Sequence, residues 1–196
     1  FHEDYIVVLV TIDDELFSLS KEQDEALQKL ANSEALKIGI SYSFTDIGNF
    51  GSHYKKARRA IALADAHAQS IPRANTRLCR YENYGFYDML SIIPQNPANV
   101  LEQFCHPALS RLLCYDKEHG TEFFNTLNTY LKCACSRKKT GDYLFIHRNS
   151  LNYRLERIQD IGGIDLSNDD VRFNLMASYH IYKFNLSQET IDSLSR

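Results

Sequence analysis

The chain has 196 residues, 44 % of them hydrophobic, and a formal net charge of −3. These totals argue for a packed core in one large domain or two small ones, and against disorder. They also exclude a uniformly basic, histone-like protein, so a nucleic-acid surface must be sought as a local cluster.

The chain begins at Phe1, without Met, and runs almost at once into YIVVLVT, which reads as a piece of a longer protein. Tyr5–Thr11 is a short β-branched apolar run and predicts a buried strand. Lys21–Ala31 predicts a helix with Ala26, Leu27 and Leu30 inward. LKIGISYSF, Leu36–Phe44, alternates as a strand does. Gly48 and Gly51 mark a loop, and Ser52 is placed to cap the helix SHYKKARRAIALADAHA that follows. Within that helix Ala57, Ile61, Ala64 and Ala68 recur at helical spacing, a stripe of mostly small residues suited to close packing on a sheet. Lys55, Lys56, Arg58 and Arg59 form a basic run that reads as its solvent face. Thr76–Tyr81 predicts another strand. Strands alternating with helices predict an α+β or α/β layer.

On KIGISYSF, SHYKKARRAIALADA and RYENYGFYDML, residues 1–92 resemble the GGDEF-like domain of the PucR/CdaR regulators. The resemblance implies a partial cyclase-type fold without cyclase chemistry. A working cyclase needs a Gly-Gly-acidic turn to cradle nucleotide and hold metal, whereas Asp13-Asp14-Glu15 has no glycine pair before it and reads as a solvated loop. Neither cofactor, metal site nor catalytic residue is expected.

Pro94, Pro97 and Pro107 crowd the next stretch and predict a linker over 93–106. Beyond it, residues 107–196 read as all-helical. Leu109, Leu112 and Leu113 open one helix. Phe124, Leu127, Leu131 and Ala134 stripe a second over Thr121–Ala134, and Val171, Leu175, Ser178, Tyr179 and Tyr182 line a third over Asn168–Phe184. The five cysteines, Cys79, Cys105, Cys114, Cys133 and Cys135, are odd in number and irregularly spaced, as reduced thiols of a cytoplasmic protein are. Cys133 and Cys135 lack the second pair that a zinc site needs. No apolar run approaches the roughly 18 residues of a membrane span, and no signal peptide is visible.

The segment Arg137–Ile161 carries the functional signal. Two short helices, Arg137–Leu144 and Arg148–Ile161, flank the three-residue turn Phe145-Ile146-His147, the spacing of a helix-turn-helix. Gly141 leaves room for a close crossing. Leu144, Ile146, Leu151, Leu155 and Ile158 form the core that sets the angle. On a wheel of about 100° per residue, Asn149 and Tyr153 fall opposite that core, with Asn152 and Ser150 on the shoulders. From Ser136 to Ile158 there are six basic residues and two acidic ones, a net +4 in a chain of net −3. Asparagine pairs bidentately with adenine and arginine with guanine, while hydroxyls and cations hold phosphates. Arg148, Asn149, Asn152 and Tyr153 are therefore the expected base readers. Arg137, Lys138, Lys139, Thr140, Ser150, Arg154 and Arg157 are the expected backbone contacts.

The run LFIHRNSLNYRLERIQDIGGIDL, with Lys139 and Thr140 before it, resembles the C-terminal, Fis-like helix-turn-helix of the PucR/CdaR bacterial transcription regulators. That family has K-T-A-x-x-L-F-I-H-R-N-T-L-x-Y-R-L-x-R-I. Gly141 replaces its alanine, Ser150 its threonine, and CACSRKK stands where the family often has a Gly/Asn turn. The resemblance implies a non-catalytic regulator that binds double-stranded DNA. One recognition helix spans few base pairs, so a homodimer on half-sites about 34 Å apart is expected. The resemblance makes the N-terminal half the first candidate for the dimer surface. The effector is not legible. The alternative is a protein-interaction or small-molecule-sensing module in which the helix-turn-helix is only structural.

Overall fold

The computed structural model describes residues 5–12, 18–66, 77–93 and 101–194. The chain divides into two compact units, Phe1–Ile92 and Ile93–Arg196. The described residues are mostly helical, with one small parallel sheet. No helix among the described residues is long and apolar enough to cross a membrane.

The first unit is built around a strand–helix–strand crossover. Helix α1, Lys21–Ser33, opens on a capping box in which Ser20 and Gln23 satisfy each other's backbone N–H groups. Its inward residue is Ala31; Ala26 and Leu30, expected inside, are exposed. Strand β1, Ile38–Ile40, is the short centre of the alternating run. It pairs in parallel with β2, Leu78–Arg80, in the register Ile38 to Leu78, Gly39 to Cys79 and Ile40 to Arg80.

Helix α2, Phe50–Ala66, makes the crossover. It begins two residues before Ser52, which therefore lies inside the first turn; Asp46 instead caps the preceding 3-10 turn, accepting from the Gly48 N–H at 2.8 Å. The small-residue stripe does pack on the sheet. A β-carbon at Gly39 would overlap the Ala57 carbonyl oxygen, so strand and helix meet backbone to backbone. Ala60, Leu63 and Ala64 complete the buried face, and Ala68 lies outside the described residues. The basic run lies on the outer side of α2, where Lys56 and Arg58 sit over Tyr42 and Tyr54. Arg59 has an internal role. It donates to Asp88 of α3, Gly85–Ile92, at 2.6 Å, and Tyr81 donates to the same carboxylate at 2.6 Å. Burial works to raise the Asp88 carboxyl, but these two donors outweigh it and hold the group below its ordinary value.

The expected strand over Tyr5–Thr11 is not one. Residues 5–12 form no ladder, and Ile6 is 93 % exposed. A strand exists only through hydrogen bonds to a neighbour, and no described segment supplies one to this run. Asp13-Asp14-Glu15, Pro94 and Pro97 lie outside the described residues.

Among the described residues of the second unit, five α-helices surround one core. Helix α4, Pro107–His119, starts with proline at its first position and ends at Gly120, whose φ of 64° suits a left-handed cap. Helix α5, Phe123–Lys132, is the central rod. Sequence periodicity suggests one apolar stripe, but Phe123 and every residue from Thr126 to Leu131 are buried. Ala134 is not on that stripe: the helix ends at Lys132, and Ala134 is exposed. Helix α8, Asp169–Leu194, outruns the expected helix and buries Leu175, Ser178, Tyr179, Ile181 and Phe184.

Candidate nucleic-acid interface

The two helices of the expected motif are present. Helix α6, Arg137–Leu144, is capped by Ser136, whose hydroxyl accepts from the Lys139 N–H at 3.3 Å. It stops at Phe145, which adopts φ 56° while its side chain is 95 % exposed. The Ile146 N–H then folds back on the Gly141 carbonyl at 3.1 Å. A β-carbon at Gly141 would stand 3.2 Å from the Ile146 carbonyl oxygen, so the group that crowds this position is the turn, not the second helix.

Helix α7, Arg148–Gly162, follows at once. His147 is its N-cap, with Nδ1 accepting from the Asn149 N–H at 3.2 Å; the ring proton, when the ring is neutral, is thus on Nε2. Leu151, Leu155 and Ile158 are buried and join Leu127, Leu131 and Leu112 in the core. The far end of α7 is fitted as closely. Gly163 takes φ 59°, and Arg111 of α4 donates to the Gly162 carbonyl at 2.9 Å. A β-carbon at Gly162 would come within 3.2 Å of Ala108, so the first glycine of IGGIDL lets α7 lie against α4 and the second lets it end.

The structure sorts the expected contact residues into two groups. Arg148, Asn149, Ser150 and Tyr153 are exposed on the first turns of α7, and Arg137, Lys138 and Lys139 are exposed on α6. Among the described residues none of the four cations in that group has an ion-pair partner. Asn152 is half-buried, and its Oδ1 is enclosed without a hydrogen bond.

Two residues are corrected. Thr140 is fully buried and its hydroxyl donates to the Ser136 carbonyl at 2.8 Å, so it cannot reach a duplex. Arg154 is half-buried and turned inward: Nη1 donates to the Thr126 hydroxyl at 3.1 Å, and Glu122 Oε2 lies 4.0 Å from the same nitrogen as an ion-pair partner. Arg157 is intermediate. Tyr115 accepts from it and Asp160 lies 3.5 Å away, so only part of its guanidinium faces outward.

Sequence reasoning missed the supports. The Asp116 carboxylate of α4 accepts from the Thr121 hydroxyl and from the Phe123 and Phe124 N–H groups, capping α5 from outside. Tyr179 of α8 donates to the Phe124 carbonyl at 2.7 Å. The first turn of α5 is therefore tied to α4, α7 and α8 together. None of these ties has a local spacing by which it could have been found.

The arrangement is a helix with a partly positive N-terminus, an amide, a guanidinium and a phenol on its outer face, and a second, basic helix beside it. Its chemistry is hydrogen bonding to flat edges and anions. It brings together no acid–base or nucleophile pair.

Comparison with known proteins agrees. Residues 123–181 match the PucR C-terminal helix-turn-helix domain. The chain is 29 % identical over 190 residues to the proline-responsive transcriptional activator PutR of Bacillus subtilis, covering 92 % of this chain and 44 % of that one. It is 25 % identical over 159 residues to the DNA-binding transcriptional activator AdeR of the same organism, covering 81 % and 36 %. It is 27 % identical over 146 residues to the carbohydrate diacid regulator of Escherichia coli, covering 74 % and 35 %. The chain thus spans less than half the length of these relatives. No solved structure matches it significantly. Residues 123–181 thus carry a PucR C-terminal helix-turn-helix domain, and the chain is similar over most of its length to three transcriptional regulators.

Proposed function

We propose that this chain reads double-stranded DNA sequence-specifically as part of a cytoplasmic transcriptional regulator, and that it catalyses no reaction. One observation carries the reading. The first turns of α7 expose Arg148, Asn149 and Tyr153, and α6 exposes Arg137, Lys138 and Lys139, which form no ion pair among the described residues. Arg148, Asn149 and Tyr153 are the base readers in this proposal, Asn152 being set aside because its Oδ1 is enclosed, and Arg137, Lys138, Lys139, Ser150 and Arg157 hold phosphates. The protein acts as a homodimer on paired half-sites. Residues 1–92 are a degenerate GGDEF-like domain; the parallel strand–helix–strand unit supports that assignment. One relative is named for its response to proline, and a small-molecule signal governs binding here too.

Selection of bound sites from a random duplex pool tests the proposal. The expected result is one enriched motif with two related half-sites. On that duplex Asn149→Ala loses about 1–3 kcal/mol and relaxes one base position, with little change on a scrambled duplex. Lys138→Ala weakens both duplexes alike and flattens the salt dependence. No enrichment, together with no salt-dependent shift on any duplex, overturns the proposal in favour of a protein-interaction module.

A further inference from the structure

The contact between Arg154 and Thr126 gives Arg154 a different task from the phosphate contact that its charge suggests. We propose that Arg154 is a positioning residue: through Thr126 it sets the rotation of α7 on α5, and so the direction in which Asn149 and Tyr153 point. The proposal rests on the DNA-binding reading above and refines it.

Apolar side chains also hold α7 against α5. Leu151, Leu155 and Ile158 meet Leu127 and Leu131 in the core. Such contacts are non-directional and tolerate a helix that rolls by some degrees. A side-chain tip stands about 5–6 Å from its helix axis. A roll of about 20° therefore moves the tip by about 2 Å, enough to break a hydrogen bond to a base edge. At its two ends, His147 caps the first turn of α7 itself, and Arg111 of α4 donates to the Gly162 carbonyl. Both act on backbone groups near the helix ends; along the body of α7, Arg157 donates to Tyr115 of α4, which leaves the orientation toward α5 to be set. Arg154 sets it. It follows Tyr153 directly and stands five residues beyond Asn149.

Its acceptor is suited to the purpose. Thr126 is 1 % exposed, and its hydroxyl proton is committed to the Glu122 carbonyl at 2.8 Å. The oxygen therefore offers a lone pair in a fixed direction, and Arg154 Nη1 takes it at 3.1 Å. Glu122 Oε2 lies 4.0 Å from the same nitrogen and adds an attractive charge. The turn that carries Thr126 is itself immobilised by Asp116 and Tyr179.

The test uses the whole chain and the duplex selected by the wild-type protein, with four variants compared by affinity for that duplex and for a scrambled one over a range of salt. Thr126→Val is the decisive variant, since it removes the acceptor but leaves the Arg154 charge in place and lies out of reach of DNA. Thr126→Val and Arg154→Met are expected to lower the selected-to-scrambled affinity ratio about tenfold, with the salt slope unchanged. Thr126→Ser keeps the hydroxyl and is expected to keep the ratio; Arg154→Lys, which loses the planar fork, restores it only in part. The proposal is overturned if Arg154→Met weakens both duplexes equally with a slope flatter by about one, while Thr126→Val binds as wild type; Arg154 is then a phosphate contact. It is also overturned if Thr126→Val and Arg154→Met lower the melting temperature but keep the wild-type ratio while folded. Should Thr126→Val fail to fold, Arg154→Met and Thr126→Ser still decide. A wild-type chain that shifts no duplex refutes the DNA-binding reading itself, a result distinct from all of these.

Discussion

Asp116 stands on the third turn of α4, yet both its carboxylate oxygens serve α5: Oδ1 is 2.8 Å from the Phe123 nitrogen and Oδ2 2.8 Å from the Phe124 nitrogen. Glu122, the residue before the helix, makes no side-chain cap of its own, so Asp116 does that work from a neighbouring element. Asp116→Ala leaves two N–H groups at the start of the central helix without partners and is expected to cost about 1–3 kcal/mol of stability. Asp116→Asn, which still accepts one bond, should cost less. Denaturant unfolding followed by circular dichroism measures both; equal stability of Asp116→Ala and wild type would count against the cap.

Between α5 and α6 two successive non-glycine residues, Ala134 at φ 51° and Cys135 at φ 58°, occupy the left-handed region. This is where CACSRKK departs from the family's Gly/Asn turn, and the departure leaves strain. Left-handed backbone costs an L-residue about 1–2 kcal/mol, partly offset by the flexibility glycine adds to the unfolded chain. Ala134→Gly is therefore expected to stabilise the protein by about 0.5–1 kcal/mol. A shift of the unfolding midpoint to lower denaturant would refute it.

Gly39 faces Ala57 at the crossing of β1 and α2, where an added methyl would meet backbone rather than a movable side chain. Gly39→Ala is expected to cost about 1–3 kcal/mol and to act on the first unit. Hydrogen exchange resolves this, with faster exchange in residues 38–66 and unchanged exchange in α7. Uniform exchange in both units would show that the strand and helix separate without cost.

Acid should loosen the second unit. His106 has a pKa below its ordinary value, first because it is buried and then because of Arg111; His180 is lowered by burial, then by Lys132 and Lys183. Near pH 6.5 the unfolded chain therefore binds more protons than the folded one, and stability rises with pH. It is full above the ordinary histidine range of about 6.5 and declines below that until the folded histidines themselves protonate. For His106 protonation also removes the cap, since Nδ1 accepts from the Ala108 N–H at 3.2 Å. Melting temperatures at pH 7.5 and pH 5.5 should differ less in the double variant His106→Asn, His180→Gln than in wild type. An unchanged difference would assign the acid sensitivity to other groups.

What the sequence disclosed was local. The apolar repeat Leu151, Leu155, Ile158 and the three-residue turn fix α6 and α7 by themselves, because a helix-turn-helix is decided within one stretch of chain. Charge alone could not say which cation is free: Lys138 and Arg154 look alike in sequence, and only the position of Thr126, 28 residues away, turns one inward. Thr140 misleads for a related reason, since a hydroxyl that seems made for phosphate is used on the carbonyl four residues back. Helix α5 hides its burial behind polar letters. Thr126, Asn128 and Thr129 look like a wet face, and become interior because α4, α6, α7 and α8 all pack around the same rod. Tyr5–Thr11 shows the opposite limit, a strand-like composition that no described segment completes.

That last segment bears on how the protein behaves as a material. Ile6 to Val10 offer an uncharged, largely β-branched apolar run to solvent, with Ile6 93 % and Val8 72 % exposed. Among the described residues no segment pairs with its amides and carbonyls, which can therefore template a like run from another molecule. Concentrated solutions should therefore turn viscous or cloudy through this run, and a lysine or proline in place of Val8 should keep them clear.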